Sequence, residues 1–227
     1  MKTAIVTGAG SGLGLQLSIA LIGDGRKVIG VTRSNPVDRD FVHLVEQGAL
    51  KHVRGDAGDP RTVEMALAEA EALGGVDLLI NCAGAGIYGP AGSYSRRDLD
   101  DVFAGNLYGT ILFSEAAFRI FRSEGGTIVN VMSTASQVAR ANEAIYCASK
   151  WGARGYTESL RIEAKGSAAS IVAVYPGGMN TPFWEVGRGS KVDPSKFMDP
   201  AQVAQVILSA LAEHEGTYVS DIIVNRK

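Results

Sequence analysis

Cysteine is scarce in this chain of 227 residues: only Cys82 and Cys147 occur, and their separation fits no metal or redox spacing. Two thiols in a chain of this size point to a reducing compartment, where free cysteine behaves as a small apolar residue. His43, His52 and His214 stand singly and form no metal-ligand pattern, so no metal site is expected. An excess of either charge is also missing. With 22 Lys+Arg against 24 Asp+Glu the formal net charge is −2, which argues against a nucleic-acid partner and against a polybasic membrane anchor. No apolar run approaches the ~20 residues of a membrane span. The N-terminus turns glycine-rich directly after Thr7, before the apolar region of a signal peptide can form. A soluble, cytoplasmic protein is expected. No Pro- or Ser-rich linker, composition shift or internal repeat divides the chain, so residues 1–227 read as one domain. No serine has glycine at both −2 and +2, which removes the nucleophile elbow of a Ser-His-Asp hydrolase.

What is plentiful is glycine. The chain has 28, about 12% of its residues, against a usual share of roughly 7%. They show no every-third-residue period, and a 46% apolar, 20% charged composition supplies a packed core, so collagen and wholesale disorder are both excluded.

Short β-branched runs alternate with longer amphipathic ones from end to end. Strands are expected at Ala4–Val6, Lys27–Thr32, Lys51–Val53, Val76–Ile80, Thr127–Met132, Ser170–Tyr175 and Tyr218–Val224. Helices are expected at Leu13–Ile22, Phe41–Glu46, Thr62–Leu73, Arg96–Arg122, Tyr146–Lys165 and Ala201–Glu213, with Pro176–Pro200 irregular. Such alternation means βαβ units. The fold class is α/β, a doubly wound, mostly parallel seven-stranded sheet with helices on both faces, a Rossmann fold. Ligands of such sheets bind outside the carboxyl ends of the strands, where most of the loop glycine falls.

Directly after the first strand comes Thr7-Gly8-Ala9-Gly10-Ser11-Gly12-Leu13-Gly14, which then enters a helix. Glycine lets such a turn take positive φ and lets backbone approach a pyrophosphate held by the helix N-terminus. Gly8, Ser11, Gly12, Leu13 and Gly14 are the candidate phosphate-side residues. At the end of the second strand an acid would accept from a ribose 2′-hydroxyl, but the chain has Thr32-Arg33-Ser34. Arg33 offers a planar fork suited to a 2′-phosphate and Ser34 a further hydroxyl. NADP(H) is favoured as cofactor, with NAD(H) as the alternative. Asp56, followed by Ala57, can accept from an adenine amino group after the third strand. Asn81, Ala83 and Gly84, after the fourth, leave room for the flat adenine-ribose side.

Tyr146 and Lys150 lie at i, i+4 on one helix face. Bringing a phenol from pKa near 10 to about 7 requires roughly 4 kcal/mol. A cation about 4 Å away at an effective dielectric near 20 supplies about that much. Ser133 ends the fifth strand and reaches the same sheet edge as Tyr146, where its hydroxyl can hold a substrate oxygen.

In these motifs the chain resembles a short-chain dehydrogenase/reductase of the common single-domain type. The resemblance spans nearly its whole length, through Thr7–Gly14, Asn81–Gly84, Asn106, Ser133, Tyr146/Lys150 and Pro176-Gly177. It implies that Tyr146 is the general acid/base, that Ser133 orients the substrate oxygen and that Lys150 binds the ribose hydroxyls. It also implies that Asn106 holds a water linking Lys150 to solvent, and that Pro176, Gly177, Met179 and Thr181 flank the nicotinamide. Homodimers or homotetramers pairing Arg96–Arg122 and Tyr146–Lys165 are implied too, with Ala116, Ala117, Ala148, Ser149, Gly152, Ala153 and Gly155 permitting close contact. Many relatives carry a longer C-terminal tail over the pocket, so a more open pocket is expected here.

The substrate is expected to be a small carbonyl compound or alcohol, bound by Ala85–Pro90, Thr134–Asn142 and a lid at about 179–198. Ile87, Tyr88, Phe183, Trp184, Val186 and Phe197 make that wall mainly apolar, which suits a hydrophobic ketone, although the same residues would also serve to pack the lid. Arg140, Arg188 and Lys191 can meet an anionic tail. Thr127 stands where some acyl-carrier reductases have Arg, which lowers a carrier-bound substrate. The rival reading is a non-catalytic NADP(H)-sensing regulator on the same fold. Such proteins usually lose the Tyr or the Lys, and both are present.

Overall fold

The computed structural model describes residues 3–186, 189, 192–211 and 216–227. Seven parallel strands form one sheet in the order β3-β2-β1-β4-β5-β6-β7. They are β1 (Thr3–Thr7), β2 (Lys27–Thr32), β3 (Leu50–Arg54), β4 (Val76–Asn81), β5 (Gly126–Val131), β6 (Ala169–Pro176) and β7 (Asp221–Val224). The chain begins at the centre of the sheet, winds out to β3, then returns to the other side of β1 for β4 to β7. The order therefore reverses between β1 and β4, and a crevice opens at their carboxyl ends.

The strands alternate side chains between two buried faces. Val6, Ile80, Val129 and Val174 meet one apolar cluster, and Ile5, Leu79, Ile128 and Ile171 the other. Burial on both faces is why these runs read as continuously apolar. Helices α1 (Gly12–Gly23), α2 (Arg39–Glu46) and α8 (Pro200–Ala210) cover the first face through Leu17, Phe41 and Ile207. Helices α3 (Pro60–Ala72), α5 (Thr110–Glu124) and α6 (Ala144–Glu163) cover the second through Val63, Phe121 and Leu160. Helix starts are defined by local chemistry. Asp38, Asp59 and Asp199 accept from first-turn N–H groups, with Pro60 and Pro200 at positions that need no donor.

A buried polar seam crosses the middle of the second face. Asn81 on β4 donates to Asn130 on β5 (2.9 Å) and to Ser114 on α5 (3.0 Å), and Asn130 donates to Thr157 on α6 (2.9 Å). The register pairs Asn81 with Asn130, so the Asn81 amide nitrogen meets the Asn130 oxygen and the seam ties both helices to the sheet, while the Asn81 amide oxygen is left without a partner among the described residues.

Most element ends lie within one or two residues of the sequence expectation, and the larger differences are these. The helix expected over Arg96–Arg122 is α4 (Arg96–Phe103), a π-helical turn (Ala104–Gly109) and then α5. The last strand begins at Asp221 rather than Tyr218. Among the described residues the irregular stretch before Pro200 contains a short helix, α7 (Phe183–Val186), and a 3-10 turn (Pro194–Lys196). Glu213, the expected end of the final helix, lies outside the described residues, as do His214, Arg188 and Lys191 and the side chain of Val186. No helix among the described residues is long and apolar enough to cross a membrane, and those residues hold no group of ligands suited to a metal ion.

Candidate active site

The glycine turn is built by close approach. Gly8 has φ +69°, and a Cβ there would come within 2.8 Å of the Ala83 Cα. That contact brings the loop after β4 against the loop after β1. Thr7 completes the junction, its hydroxyl accepting from the N–H groups of Cys82 (3.1 Å) and Ala83 (3.0 Å). Helix α1 then starts at Gly12 with Ser11 as N-cap, and Ser11 makes no side-chain cap bond. The first-turn N–H groups are thus left without a side-chain partner at a helix end that lines the crevice. This is the donor set and the clearance that a pyrophosphate needs.

A cleft of about 570 Å³ runs along the carboxyl ends of the strands. It brings together Gly8, Ser11, Gly12, Leu13 and Gly14 at one end with Ser133, Tyr146 and Lys150 at the other. Arg33, Gly84, Pro176, Gly177, Met179 and Thr181 also line it. Other expected residues lie elsewhere. Thr32 spends its hydroxyl on the Ser34 carbonyl and on His52 (both 2.7 Å), and neither Thr32 nor Ser34 reaches the cleft wall. Asp56 uses one carboxylate oxygen to accept from the Gly58 N–H (2.8 Å), an ordinary turn contact. Ala57 is buried in the core beneath α5, close to Gly109. Asn81 belongs to the buried amide seam, because its side chain points into the second face rather than into the crevice. Ala83 contributes backbone against Gly8.

Asn106 sits in the π-helical turn and is fully buried. Its amide oxygen accepts from the Ala85 N–H (2.8 Å), and its amide nitrogen donates to the Ala85 carbonyl (3.0 Å) and to Ser149 (2.9 Å). The side chain therefore copies a backbone pairing to the loop after β4 and joins that loop to α6. The extra residue of a π turn aims this amide at the loop. The sequence pattern of a regular helix gave no sign of it.

Ser133 follows β5 and opens a short helical turn, its hydroxyl accepting from the Ala135 N–H (3.1 Å). Tyr146 and Lys150 stand one turn apart on α6, and both are buried. Burial pushes the Tyr146 phenol up and the Ser133 hydroxyl opposes the shift, which leaves it raised to about 12. Glu143 raises it further while Arg140 lowers it. The Lys150 ammonium is drawn down to about 8 by burial, donates to the Val131 carbonyl (3.1 Å) and is attracted by Cys82.

Beyond Tyr146 the cleft is walled by Gly86, Ile87, Phe183 and Trp184 and rimmed by Arg97, Asp98, Asp101, Arg140 and Glu143. The apolar wall expected from the sequence is therefore only half of it. Arg97 and Asp101 form an i, i+4 pair at 3.8 Å, and Asp98 completes the capping box of α4 with Ser95. Glu143 lies one residue outside the segment that sequence reasoning had assigned to the wall. Its position three residues before Tyr146, where α6 begins, was the available signal. Cys82 also lines the cleft, its thiol pushed up to about 12 by burial.

The lid packs as a chain of rings. Tyr88 stacks on Trp184 (5.8 Å between centroids, 15° between planes), Trp184 meets Phe197 edge-on (5.3 Å), and Phe183 tilts over Tyr146 (5.9 Å). The Trp184 N–H donates to the Met179 carbonyl (2.9 Å). The final residues reach this lid segment. Arg226 lies over the Phe197 ring (5.8 Å) and donates to the Lys196 carbonyl (3.0 Å).

Comparison with known proteins agrees with this geometry. The model of the family described as short chain dehydrogenase matches residues 2–189. A D-threitol dehydrogenase of Mycolicibacterium smegmatis is 32% identical over 215 residues, covering 89% of this chain and 83% of that protein. A sepiapterin reductase of Chlorobaculum tepidum is 29% identical over 231 residues, 97% of this chain and 94% of the other. A solved short-chain dehydrogenase/reductase from Vibrio parahaemolyticus superposes with a TM-score of 0.83 at 32% identity, over 99% of this chain and 96% of its own.

Proposed function

The chain belongs to the short chain dehydrogenase family of oxidoreductases, and from that premise we propose that it is an NADP(H)-dependent enzyme interconverting a carbonyl compound and the corresponding secondary alcohol. The observation that carries this reading is the cleft that joins the uncapped α1 terminus to Ser133, Tyr146 and Lys150. A nicotinamide dinucleotide, when bound, supplies or takes up the hydride. Gly12, Leu13 and Gly14 would hold its pyrophosphate, Lys150 a ribose, and Met179 and Thr181 the nicotinamide side.

The remaining chemistry falls to side chains of this protein. Tyr146 delivers a proton to the substrate oxygen in reduction and removes it in oxidation. Ser133 holds the same oxygen by a hydrogen bond, which also favours the phenolate form of Tyr146. Burial of Tyr146 excludes water, so its proton is exchanged with the substrate rather than with bulk solvent. Arg33 at the cleft end, without a neighbouring carboxylate after β2, favours the 2′-phosphate of NADP(H) over NAD(H). Outward-facing Ala148, Gly155 and half-exposed Trp151 on α6 suit a homodimer through that helix.

The reading is tested by a panel of ketones and secondary alcohols followed by nicotinamide absorbance with each cofactor. Turnover with NADP(H) on at least one carbonyl class is expected. Tight NADPH binding without turnover of any panel member would move the protein to the sensing reading.

A further inference from the structure

Glu143 is the charged group nearest to Tyr146 in sequence on the substrate side of the cleft, and neither the fold nor the reaction above uses it. It precedes α6 with non-helical backbone (φ −124°, ψ 21°), makes no side-chain cap bond and lines the cleft half-buried. Among the described residues its carboxylate has no hydrogen bond and no ion pair. Arg140, which attracts it electrostatically, gives a guanidinium N–H to Thr134 (2.6 Å) instead.

Behind the cleft wall a second polar group is also unsatisfied. The Tyr88 hydroxyl is buried with no hydrogen-bond partner among the described residues, while its ring lies 6.0 Å from that of Tyr146 and stacks on Trp184. Glu143 acts electrostatically on both phenols. Partial burial raises the Glu143 carboxyl above its ordinary value, as expected for a carboxylate short of donors.

We propose that Glu143 is a specificity-determining residue that receives a hydrogen-bond donor carried on the carbon beside the reacting one. The site then takes hydroxy- or amino-substituted carbonyl compounds in preference to plain ketones. This rests on the reading of Tyr146 as the group that meets the reacting oxygen. A carboxylate only accepts hydrogen bonds, so its complement must donate. A plain ketone leaves the carboxylate unpaired when it displaces water, which is the condition under which a site rejects an analogue lacking the polar group. Trp184 and Phe183 provide the apolar surface for the rest of such a molecule.

The experiment uses the Tyr146→Phe protein loaded with NADPH, so that affinity is read without turnover. Titration calorimetry compares 2-hydroxyacetophenone with propiophenone, a close steric match that carries methyl in place of hydroxyl, and adds 2-aminoacetophenone as a third arm. The hydroxyketone is expected to bind at least about 10-fold tighter than propiophenone, the range of one hydrogen bond to a charged group. Glu143→Ala on the same background brings that ratio to about 1, and Glu143→Gln, which keeps an acceptor, retains part of it. Stronger binding of the aminoketone, lost in Glu143→Gln, identifies an ammonium as the natural donor, and the reverse order identifies a hydroxyl. Equal affinities for the hydroxyketone and propiophenone, a ratio unmoved by Glu143→Ala, or no binding of any arm overturns the proposal. Failure of the Tyr146 reading would appear separately, as undiminished turnover by the Tyr146→Phe protein.

Discussion

The Lys150 ammonium donates to the main-chain carbonyl of Val131 at 3.1 Å, which ties the cation of α6 to the last residue of β5. Because burial brings its pKa from 10.5 down to about 8, the folded protein binds this proton less well than the unfolded chain does. Stability must then rise with pH as the unfolded state alone stays protonated, beginning near pH 8. Cys82, raised to about 12 from 9.0, opposes this above pH 9, since its neutral form is the one that the fold favours. Between pH 8 and 9 the unfolding free energy of the native protein should increase by about 1 kcal/mol. Denaturant titration of Lys150→Met over that interval should give a flat profile, and an equal rise in the variant would refute the assignment.

Asn106 carries the loop after β4 on three hydrogen bonds. Replacing it with Ala strands the Ala85 N–H and carbonyl in a partly buried place and leaves the Ser149 hydroxyl only its bond to the Tyr146 carbonyl. Asn106→Ala should lose about 2–3 kcal/mol of stability. It should also weaken nucleotide binding, because Gly84 and Ala85 line the cleft. A midpoint of denaturation within error of the native value would contradict the bracing role.

Glu143 and Arg140 act on the Tyr146 phenol in opposite senses. A negative neighbour disfavours the phenolate and a positive one favours it. The pH profile of kcat for any reduced carbonyl should therefore move to lower pH in Glu143→Gln and to higher pH in Arg140→Ala. Shifts in the same direction for both variants would mean that neither charge reaches Tyr146.

Arg33 stands at the cleft end with its guanidinium exposed, where a 2′-phosphate would meet it. Arg33→Ala should weaken NADPH at least about 10-fold more than NADH, the scale of a charge-assisted bond to phosphate. Equal losses, measured by fluorescence titration of the two cofactors, would remove the basis for NADP(H) preference.

The seven strands were legible because a doubly covered parallel sheet demands continuous apolar runs, as in Val76–Ile80 and Ile171–Val174. The glycine turn was legible because close approach leaves no room for a side chain at Gly8. Asn106 is named by the family motif, but its bracing role was not legible, since a π turn differs from an α-helix by hydrogen-bond register and not by residue pattern. Asn81 ends β4 and Asp56 follows β3 by two residues, both at the edge where the crevice opens. Which way a strand-end side chain points depends on the pleat, and the pleat turns Asn81 toward Asn130 and Ser114.

The central claim is that Tyr146 exchanges the proton with the substrate oxygen. Its most direct test is the Tyr146→Phe protein, assayed for NADPH binding and for turnover of a carbonyl accepted by the native enzyme. Unchanged NADPH affinity with kcat reduced by at least about 100-fold, the lower end of a general acid/base contribution, is the predicted result. Unchanged affinity with full turnover would contradict the account.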